Sequence, residues 1–580
     1  MTVHNILSSS VSALVFTGLI AGFGPSAFAQ TASQITQPSY APPVIRQAGG
    51  GLDLPATGDL KAPAGAEKLH VTPSGLVVKG QLPGLEAETA KVEASLKGKR
   101  VTGADLFAAA RALEAVYAQA GYLLARVTLP PQTIKDGLPL KLTVTDGYVE
   151  SIDASALPGT AKSRVEAMLQ PLVGKHALTK GELERRLLLA GDTPGVLLKS
   201  TLKPGTVTGS TVIVVDGRYD PVTVRASVDN SLGEDLGRYS ASLGANFNNL
   251  LGFGEVGYLQ VSGYPGFNNS IFGNDPRNRQ IVAGFNLPLG IDGLWLNMEG
   301  VDSRTHPTSS LGFTTLSHYQ RFSTKLGYNW VRSRNMNTSS VIAFDIADET
   351  QQMDTGSART DWTQDRLRVL RLTQNADIYT SWGGFLSGGV TASFGLDAFG
   401  ARHGTTALPM SRSGAEPNFS KLEINGRYSQ GFADNHLQWS FAGKAQTSFG
   451  NSLASSEQMG LGGFDWLSAF EGSALQGDGG IAIRSELAFP VVLPAMDSFP
   501  TLGTAVAPYV FGAAGLSKLE KPSAVEETVT RAVSFGAGMR FGLSQKGSSD
   551  SSTLSLEYAH GAQTNGASKN RFNLRWTAGF

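Results

Sequence analysis

The sequence contains no cysteine, which excludes disulfide cross-links, thiolate metal ligands and thiol nucleophiles. It also lacks a surplus of either charge, because 48 Lys and Arg residues balance 48 Asp and Glu residues. Proteins whose main partner is a nucleic acid usually carry a basic surplus, so we predict no nucleic-acid partner. No run of about 18 apolar residues occurs after residue 29, which excludes a membrane-spanning helix in the mature chain.

Motifs for catalysis and cofactor binding are also missing. The eight histidines show no H-x-x-x-H or H-E-x-x-H spacing, and neither a G-x-S-x-G sequence nor a P-loop occurs. Asp478, Arg484 and Glu486 would allow a catalytic cluster, but polar residues that line a water-filled lumen are the simpler interpretation. We therefore expect no enzyme, no cofactor and no metal.

Glycine is what the sequence has in excess, at 69 of 580 residues. The average share of glycine is about 7%, and an excess without the three-residue period of collagen is typical of a chain rich in turns and strands. A chain of 580 residues is also too long for one ordinary core, which predicts several domains.

Residues 1–29 have the pattern of a secretory signal peptide. The apolar core 11–23 precedes Ala27-Phe28-Ala29, an A-x-A cleavage site followed by Gln30. We therefore predict cleavage between Ala29 and Gln30, and export of the protein. The alternative is a buried N-terminal helix, which the cleavage site argues against.

Residues 30–67 are polar and rich in proline and glycine. Such a segment cannot bury enough apolar area to fold alone, and we predict a linker. Pro38, Pro42 and Pro43 argue against a long helix in it.

Residues 68–147 and 148–218 share one pattern of strands and helices, which predicts two small α+β domains with the same fold. Each domain contains a capping sequence that opens a helix with apolar residues at helical spacing. The capping sequences are Thr102-x-x-Asp105 and Thr179-x-x-Glu182.

Residues 219–580 alternate between apolar and polar residues in nearly every segment, with Gly, Asn, Asp and Ser in between. This alternation suits strands with lipid on one face and water on the other. We count sixteen strands and predict a mainly β protein whose C-terminal part is a closed antiparallel outer-membrane barrel with a wide lumen. A soluble β-sandwich or propeller is the alternative. It would not predict the last strand, which ends in Phe580 and resembles the signal recognised by the barrel assembly machinery.

A second group of residues is specific enough to indicate a family. Gly121-Tyr122, Arg126, Pro130, Gln132, Asp136-Gly137 and Asp146-Gly147 resemble the signature of POTRA domains in two-partner secretion translocators, the TpsB class of ShlB/FhaC/HecB type. The resemblance implies periplasmic domains that receive an unfolded passenger, with Tyr122, Pro130 and Gln132 as candidate binding residues. An exposed sheet edge can bind an extended peptide through main-chain hydrogen bonds. The alternative is that these three residues only pack and turn the chain.

The start of the barrel extends the resemblance to residues 68–580. It includes Asp229-Asn230, Gly237-Arg238-Tyr239 and Asn248-Asn249-Leu-Leu-Gly252-x-Gly254. The resemblance implies an outer-membrane protein with its N-terminal domains in the periplasm. Its implied partners are a secreted exoprotein, outer-membrane lipid and the barrel assembly machinery.

A long loop, residues 451–478, separates the eleventh and twelfth predicted strands. In the family this loop enters the pore, and a tip arginine pairs with an aspartate of a Phe-x-Asp-x-Gly motif on the thirteenth strand. The surrounding frame is present here in Asp478, Arg484, Glu486 and Phe511. The tip, however, reads Leu467-Ser468-Ala469-Phe470, so that Ser468 stands where arginine is expected, and Ala513 stands where aspartate is expected.

Loss of both charges is physically more sensible than loss of one. A stranded partner of a buried ion pair costs about 3–5 kcal/mol, whereas loss of both partners can be nearly neutral. We therefore expect the loop to enter the lumen, held by packing of Leu467 and Phe470 and by weaker hydrogen bonds. The predicted function is export of a secreted partner protein. The alternatives are a BamA-like assembly factor and a passive pore or polysaccharide-export channel.

Overall fold

The computed structural model describes residues 30–36 and 62–580, apart from residues 208, 267–269, 310–312, 473, 495–496, 498–499, 546–547 and 549. The predicted signal peptide, including Ala29, and most of the predicted linker lie outside these residues. A four-residue helix, α1 (Ala32–Ile35), is the first described element. No helix in the described part of the chain is long and apolar enough to cross a bilayer.

The first module packs two helices against a three-stranded sheet. Its elements are β1 (His70–Val71), β2 (Leu76–Lys79), α2 (Glu86–Leu96), β3 (Val101–Thr102), α3 (Gly103–Gln119), β4 (Arg126–Thr128) and β5 (Leu140–Thr145). The sheet order is β2-β5-β4, with β2 parallel and β4 antiparallel to β5. Thr102 and Asp105 form the predicted capping box of α3, in which the Thr102 hydroxyl accepts from the Asp105 N–H at 3.2 Å.

The second module repeats this topology. Its elements are β6 (Tyr148–Asp153), α4 (Gly159–Leu169), α5 (Lys180–Gly191), β7 (Val196–Pro204) and β8 (Ser210–Tyr219). The sheet order is β6-β8-β7, with β6 parallel and β7 antiparallel to β8. Thr179 and Glu182 form the second capping box. The two modules therefore have the same three-stranded mixed sheet, as their shared sequence pattern predicts.

Sixteen antiparallel strands close into a barrel within the described residues, which confirms the predicted fold class and strand count. Two consecutive segments, β22 and β23, both pair with β24 and form one strand position in the wall. The strands are β9 (Val222–Asp229), β10 (Ser240–Asn248), β11 (Val256–Gly263), β12 (Asn278–Pro288), β13 (Leu294–Thr305), β14 (Thr314–Arg332), β15 (Met336–Asp354), β16 (Arg359–Tyr379), β17 (Gly384–Gly395), β18 (Ser420–Phe432), β19 (Leu437–Thr447), β22 (Gly479–Ala488), β23 (Val491–Leu493), β24 (Leu502–Lys518), β25 (Val529–Gln545), β26 (Ser551–Gln563) and β27 (Lys569–Gly579).

The last strand closes the barrel against the first. Strand β27 pairs with β9, and Phe580 continues the ladder by exchanging backbone hydrogen bonds with Val224 at 2.9 and 3.0 Å. The Phe580 side chain is exposed on the outer surface. Closure pairs the backbone N–H and C=O groups at the edges of both strands. This is necessary in a bilayer because hydrocarbon offers these groups no other hydrogen-bond partner.

The second module is joined to the short turns at one end of the barrel, called here the module end. Arg332 at the end of β14 donates two hydrogen bonds to the Asp192 carboxylate, at 2.6 and 2.7 Å. Arg185 of α5 donates to the backbone carbonyls of Asp292 and Asn329, at 2.8 and 3.0 Å. Paired guanidinium–carboxylate bonds of this kind fix orientation as well as distance.

Candidate functional site: the barrel lumen

The loop between β19 and β22 folds back into the lumen from the far end of the barrel. We call residues 451–460 its stem and residues 464–471 its tip. A short ladder between β20 (Met459–Gly460) and β21 (Gln476–Gly477) joins its outgoing and returning legs. Within the tip, Leu467 is 0% and Phe470 1% exposed, so both side chains are enclosed by the barrel.

Apolar packing is the first interaction that holds the tip. Leu467 and Phe470 belong to a buried cluster that also includes wall residues of four strands, namely Ala482, Ala488, Tyr509, Phe511, Ala513, Ala532 and Ala559. Close approach to β26 depends on Gly561, because a Cβ there would lie 2.6 Å from the Ala469 Cβ and 2.7 Å from the Phe470 Cε2. Five of these seven wall residues are alanines, which leaves room for the large side chains of Leu467 and Phe470.

Hydrogen bonds from the wall to the loop backbone are the second interaction. The Asn573 amide donates to the Ser468 carbonyl at 2.9 Å, and the Ala469 N–H donates to the Ser534 hydroxyl at 3.1 Å. Arg484 Nη1 donates to the Trp466 carbonyl at 3.2 Å and to the Ser468 hydroxyl at 3.3 Å. The serine in place of arginine is therefore itself a hydrogen-bond acceptor for a wall arginine.

The charges beneath the tip all belong to the wall. Arg484 Nη2 lies 2.6 Å from Glu557 Oε2, which also accepts from the Tyr509 hydroxyl at 2.9 Å. The Arg484 guanidinium also stacks over the Phe511 ring, 3.8 Å from its centroid. Arg540 binds the Glu486 carboxylate through both of its terminal nitrogens. Residue 513, the expected carboxylate position, is an alanine directly opposite Arg484 in the β22–β24 ladder.

Asp478 ties the two legs of the loop to the barrel rim. Its carboxylate accepts from the Leu453 N–H at 2.9 Å and from the Gln458 amide at 3.0 Å, both in the stem. It also accepts from the Glu520 N–H at 2.8 Å, in the turn that follows β24. Asp478 is completely buried, and each of these three partners is a neutral N–H donor.

The stem carries a buried carboxylate of its own. Glu457 Oε1 lies 2.6 Å from Arg371 Nη2, and its Oε2 lies 2.9 Å from Lys421 Nζ. Arg371 in turn binds Asp345 Oδ2 at 2.7 Å. These three wall residues project from strands β16, β18 and β15.

The segment 30–36 also lies in the lumen, which differs from the predicted linker. The Ala32 N–H donates to the Ser317 hydroxyl at 3.0 Å, and the Ser303 hydroxyl donates to the Ala32 carbonyl at 2.9 Å. Ser33 donates through its N–H and its hydroxyl to the Glu349 carboxylate, at 3.1 and 2.6 Å. This short helix can lie in the lumen because the polar wall supplies the hydrogen bonds that a linker would take from water.

Gln30, the predicted first residue after cleavage, is 5% exposed. Its side-chain oxygen accepts from the Gly233 N–H at 2.8 Å, in the turn after β9. The segment 30–36 then packs into a small apolar core with the stem and with the far-end loop between β17 and β18. That core contains Ala32, Tyr319, Ala347, Leu367, Val369, Met410, Ala415, Phe419, Leu453 and Ala454.

A cavity of about 1120 Å³ remains between these segments and the module end. It is lined by cations such as Lys325, Arg371 and Lys421 and by acids such as Asp345 and Glu423. The lumen is thus a polar vestibule at the module end and is filled by the loop and the segment 30–36 farther along. No group of three or more acidic or histidine side chains that could hold a metal ion occurs among the described residues.

The candidate residues of the first module lie apart from the lumen, and two of them shape the module sheet. Strand β4 ends at Thr128, and Pro130 lacks the N–H that would continue its ladder with β5. Gln132 fills this position, because its amide donates to the Lys141 carbonyl at 2.7 Å and accepts from the Lys141 N–H at 2.8 Å. Tyr122 is partly buried and packs against the module core.

Several residues of the lumen were missed by sequence reasoning. They are Glu457, Glu557, Asn573, Ser534, Gly561, Arg371 and Lys421. The six wall residues lie on strands whose alternation predicts an inward or outward side chain, which is a usable but weak signal. Nothing in the local sequence indicates which loop residue each one contacts.

The chain matches known families over most of its length. Residues 208–541, more than half of the chain, match the family described as haemolysin secretion/activation protein ShlB/FhaC/HecB. Residues 71–147 match the POTRA domain of ShlB type.

Relatives and solved structures agree with the family match. The heme/hemopexin transporter protein HuxB of Haemophilus influenzae (strain 86-028NP) is 24% identical over 477 residues, covering 78% of each chain. The outer membrane transporter CdiB of Escherichia coli O6:K15:H31 is 24% identical over 453 residues, covering 76% of this chain and 72% of the relative. A solved CdiB structure from Escherichia coli superposes with a TM-score of 0.67 at 19% identity, covering 89% of this chain and 92% of that one. This last similarity shows a shared fold.

Proposed function

The chain belongs to the haemolysin secretion/activation protein family ShlB/FhaC/HecB, and from this membership we propose that it exports one secreted partner protein through its barrel. It is an outer-membrane β-barrel transporter whose N-terminal modules lie in the periplasm, so the module end of the barrel faces the periplasm. The observation that carries the proposal is the lumen itself. A vestibule faces the modules, and the path beyond it is filled by chain segments rather than by wall.

Recognition begins at the first module in this proposal. Among the described residues, β2 is an edge strand of the β2-β5-β4 sheet, and Val77 on it is 49% exposed. An extended passenger segment can add to such an edge through main-chain hydrogen bonds with little demand on sequence. The opposite edge strand, β4, has three residues and ends at Thr128, after which the Gln132 side chain takes its place beside Lys141 of β5. Strand β2, with four residues, is therefore the longer edge for docking. Pro130, Gln132 and Tyr122 then act by shaping the sheet.

Export requires the lumen to open. The passenger displaces the segment 30–36 and the loop tip. The buried contacts of the tip with the wall are apolar packing and hydrogen bonds to neutral loop groups, and its ion pair, Asp465 with Arg575, is partly exposed. The sequence contains no nucleotide-binding motif. We infer that folding of the passenger outside the cell supplies the driving force, as it does in the family that the sequence resembles.

The proposed function is tested by comparing the proteins in the culture medium of the native strain with and without the gene. We expect one large exported protein to disappear and to return when the full chain is supplied. A chain that lacks residues 68–147 should reach the outer membrane in equal amount but leave the passenger unexported. This truncated chain distinguishes a loss of passenger recognition by the first module from a failure of barrel assembly.

Two other outcomes would overturn the proposal. General loss of outer-membrane proteins when the chain is depleted would indicate an assembly factor. An unchanged medium, together with steady conductance that no protein partner affects, would indicate a passive pore.

A further inference from the structure

Glu457 is the one acidic side chain among the described residues of the stem, and the barrel wall encloses it. Its side chain is 3% exposed, and Arg371 holds both of its oxygens, at 2.6 and 3.0 Å. Lys421 adds a contact of 2.9 Å and is itself 5% exposed. A carboxylate buried this deeply is stable only because cations and hydrogen bonds replace its lost water.

The backbone of the same residue is also bound by the wall. Lys421 Nζ donates to the Glu457 carbonyl at 3.1 Å, and Gln446 Nε2 donates to it at 3.2 Å. Side chains from strands β16, β18 and β19 therefore meet at a single residue of the loop. No other acidic or basic side chain of the stem is available to take its place.

Departure of Glu457 would leave the wall with unbalanced charge. Arg371 keeps Asp345 at 2.7 Å, and Lys421 keeps Glu423 at 3.1 Å, but both lose the carboxylate that they share. Removal of one member of a buried charge cluster is costly, whereas removal of neutral groups costs only their hydrogen bonds and packing. The stem is thus held by a buried ion pair, whereas the ion pair of the tip, Asp465 with Arg575, is partly exposed to solvent.

The same residue is connected to the segment 30–36. Leu453 and Ala454, at the start of the stem, pack in one core with Ala32. The cluster also borders the vestibule, because Arg371, Lys421 and Glu457 all line the cavity that faces the modules. Trp466 of the tip lines the same cavity, so a chain that enters from the periplasm meets these two cations and the tip in one space.

We propose that Glu457, Arg371 and Lys421 form a releasable clasp that keeps the stem and the segment 30–36 in the lumen, and that an acidic segment of the incoming chain opens it by binding the same two cations. Exchange of one carboxylate for another conserves charge in the buried cluster, so this route avoids stranding Arg371 and Lys421. The statement about an incoming chain rests on the proposed function. The clasp itself concerns only the closed state of the barrel.

The clasp is tested by the conductance of the purified full-length protein in planar bilayers. We expect Glu457→Gln to increase the open probability at least about tenfold, since it removes the charge that both cations share. Asp465→Asn is the matched control, because Asp465 of the tip also pairs with a wall arginine, Arg575, but is 55% exposed. It should behave like the wild type.

A double variant separates charge balance from damage to the fold. Glu457→Gln with Lys421→Met removes one negative and one positive charge from the cluster and should return the open probability toward the wild-type value. Barrel folding is checked in every variant by its heat-dependent mobility on gels. A folded Glu457→Gln variant with wild-type conductance would overturn the clasp.

The release step is tested on the wild-type protein. A glutamate-rich peptide added on the module side should raise the open probability severalfold, whereas a lysine-rich peptide of equal length should not. Because the chain has no native cysteine, Ser455→Cys, at a buried position of the stem, can report stem exposure by maleimide labelling in the same experiment, even if Glu457→Gln does not fold. Equal responses to the two peptides, or no response to either, would overturn release by an acidic segment.

These experiments are independent of export. If deletion of the gene leaves the culture medium unchanged, the proposed function is wrong, but the conductance results still test the clasp. If export is normal and the Glu457→Gln variant has wild-type conductance, the clasp is wrong and the proposed function is unaffected.

Discussion

The tip and the stem of the pore loop enter the same lumen but are held by different physics. At the tip the loop's buried contacts are apolar side chains and neutral hydrogen-bonding groups, and the buried charges Arg484 and Glu557 both belong to the wall. The ion pair of the tip itself, Asp465 with Arg575, is partly exposed. At the stem the loop contributes a charge, Glu457, to two wall cations. When the tip leaves, the buried ion pair of the wall stays intact and only the exposed Asp465–Arg575 pair is lost, whereas departure of the stem breaks a buried ion pair.

This difference explains how the loop can lack the tip arginine that the sequence comparison expected. A loop needs an anchor of sufficient strength, and nothing in the physics requires that anchor to be at its tip. Here the buried charge lies in the stem, and the serine at position 468 accepts a hydrogen bond from Arg484. We infer that opening proceeds from the tip toward the stem, because neutral contacts are easier to exchange for water than a shared charge.

The largest predicted effect is on barrel stability, and it tests whether Arg484 mainly stabilises the wall or mainly holds the loop. Replacement of Arg484 by methionine leaves Glu557, 1% exposed, without its cation. We expect the barrel to lose about 3–5 kcal/mol of stability, measured by urea unfolding in detergent. The double variant Arg484→Met with Glu557→Gln should recover most of this loss. A variant that opens the loop without weakening the barrel would instead show that Arg484 acts mainly on the tip.

A second prediction opens the tip without altering any charge. In Gly561→Ala the new Cβ meets the Ala469 Cβ at 2.6 Å, so the tip must move. Overpacking of this kind costs about 1–3 kcal/mol, and a cysteine at position 468 should become accessible to maleimide. A cysteine at position 455, where the serine is 8% exposed, should stay protected. Gly512→Ala is the control, because a Cβ at Gly512 meets nothing within 4 Å. Equal exposure of both cysteines would show that tip and stem open together.

A third prediction returns a charge to the tip. Ser468→Arg places a second guanidinium beside Arg484, whose Nη1 now lies 3.3 Å from the Ser468 hydroxyl. We expect maleimide labelling of a cysteine placed at 469 to rise roughly tenfold, which corresponds to about 1.4 kcal/mol. Adding Ala513→Asp, opposite Arg484 in the ladder, should reverse the increase. Ser468→Gln serves as the uncharged control of similar length. If it labels as strongly as the arginine variant, size rather than charge is responsible.

The smallest prediction concerns a carboxylate outside the barrel that is held without any cation. Hydrogen bonds from Ser210 and Thr206 lower the pKa of Glu150 in the second module to about 2. The stabilisation is therefore complete above the ordinary pKa near 4.5 and is lost as the pH falls toward 2. Proteolysis of the full-length protein should show the modules becoming cleavable over this range. Glu150→Gln should flatten that dependence, whereas Glu166→Gln, at a surface pair with Lys162, should not.

The barrel and the modules were predictable because their signals are local. Inward and outward residues alternate along each strand, so sixteen strands can be counted without knowledge of their partners. Thr102 and Thr179 open helices through contacts only three residues away, which is also visible in sequence. The same holds for the long loop between β19 and β22, which has no alternation.

The contacts that fill the lumen were not predictable in this way. Glu457 and Arg371 are separated by 86 positions, and Ala32 and Ser317 by 285. The composition of residues 30–36 is that of a linker in water, and the segment is ordered only because the lumen supplies donors and acceptors. Contacts between the loop and the wall form only after the barrel has closed. The periodicity of the sequence therefore cannot predict them.

The sequence by itself determined the strand count, the two repeated modules, the family resemblance and the absence of a charge pair at Ser468 and Ala513. These features depend on residue type and short-range spacing, which the chain carries before it folds. Tertiary structure alone decided where the loop is anchored and what fills the lumen. The cause is burial, because Glu457 binds Arg371 and Lys421 strongly only after the closed barrel has removed these three side chains from water.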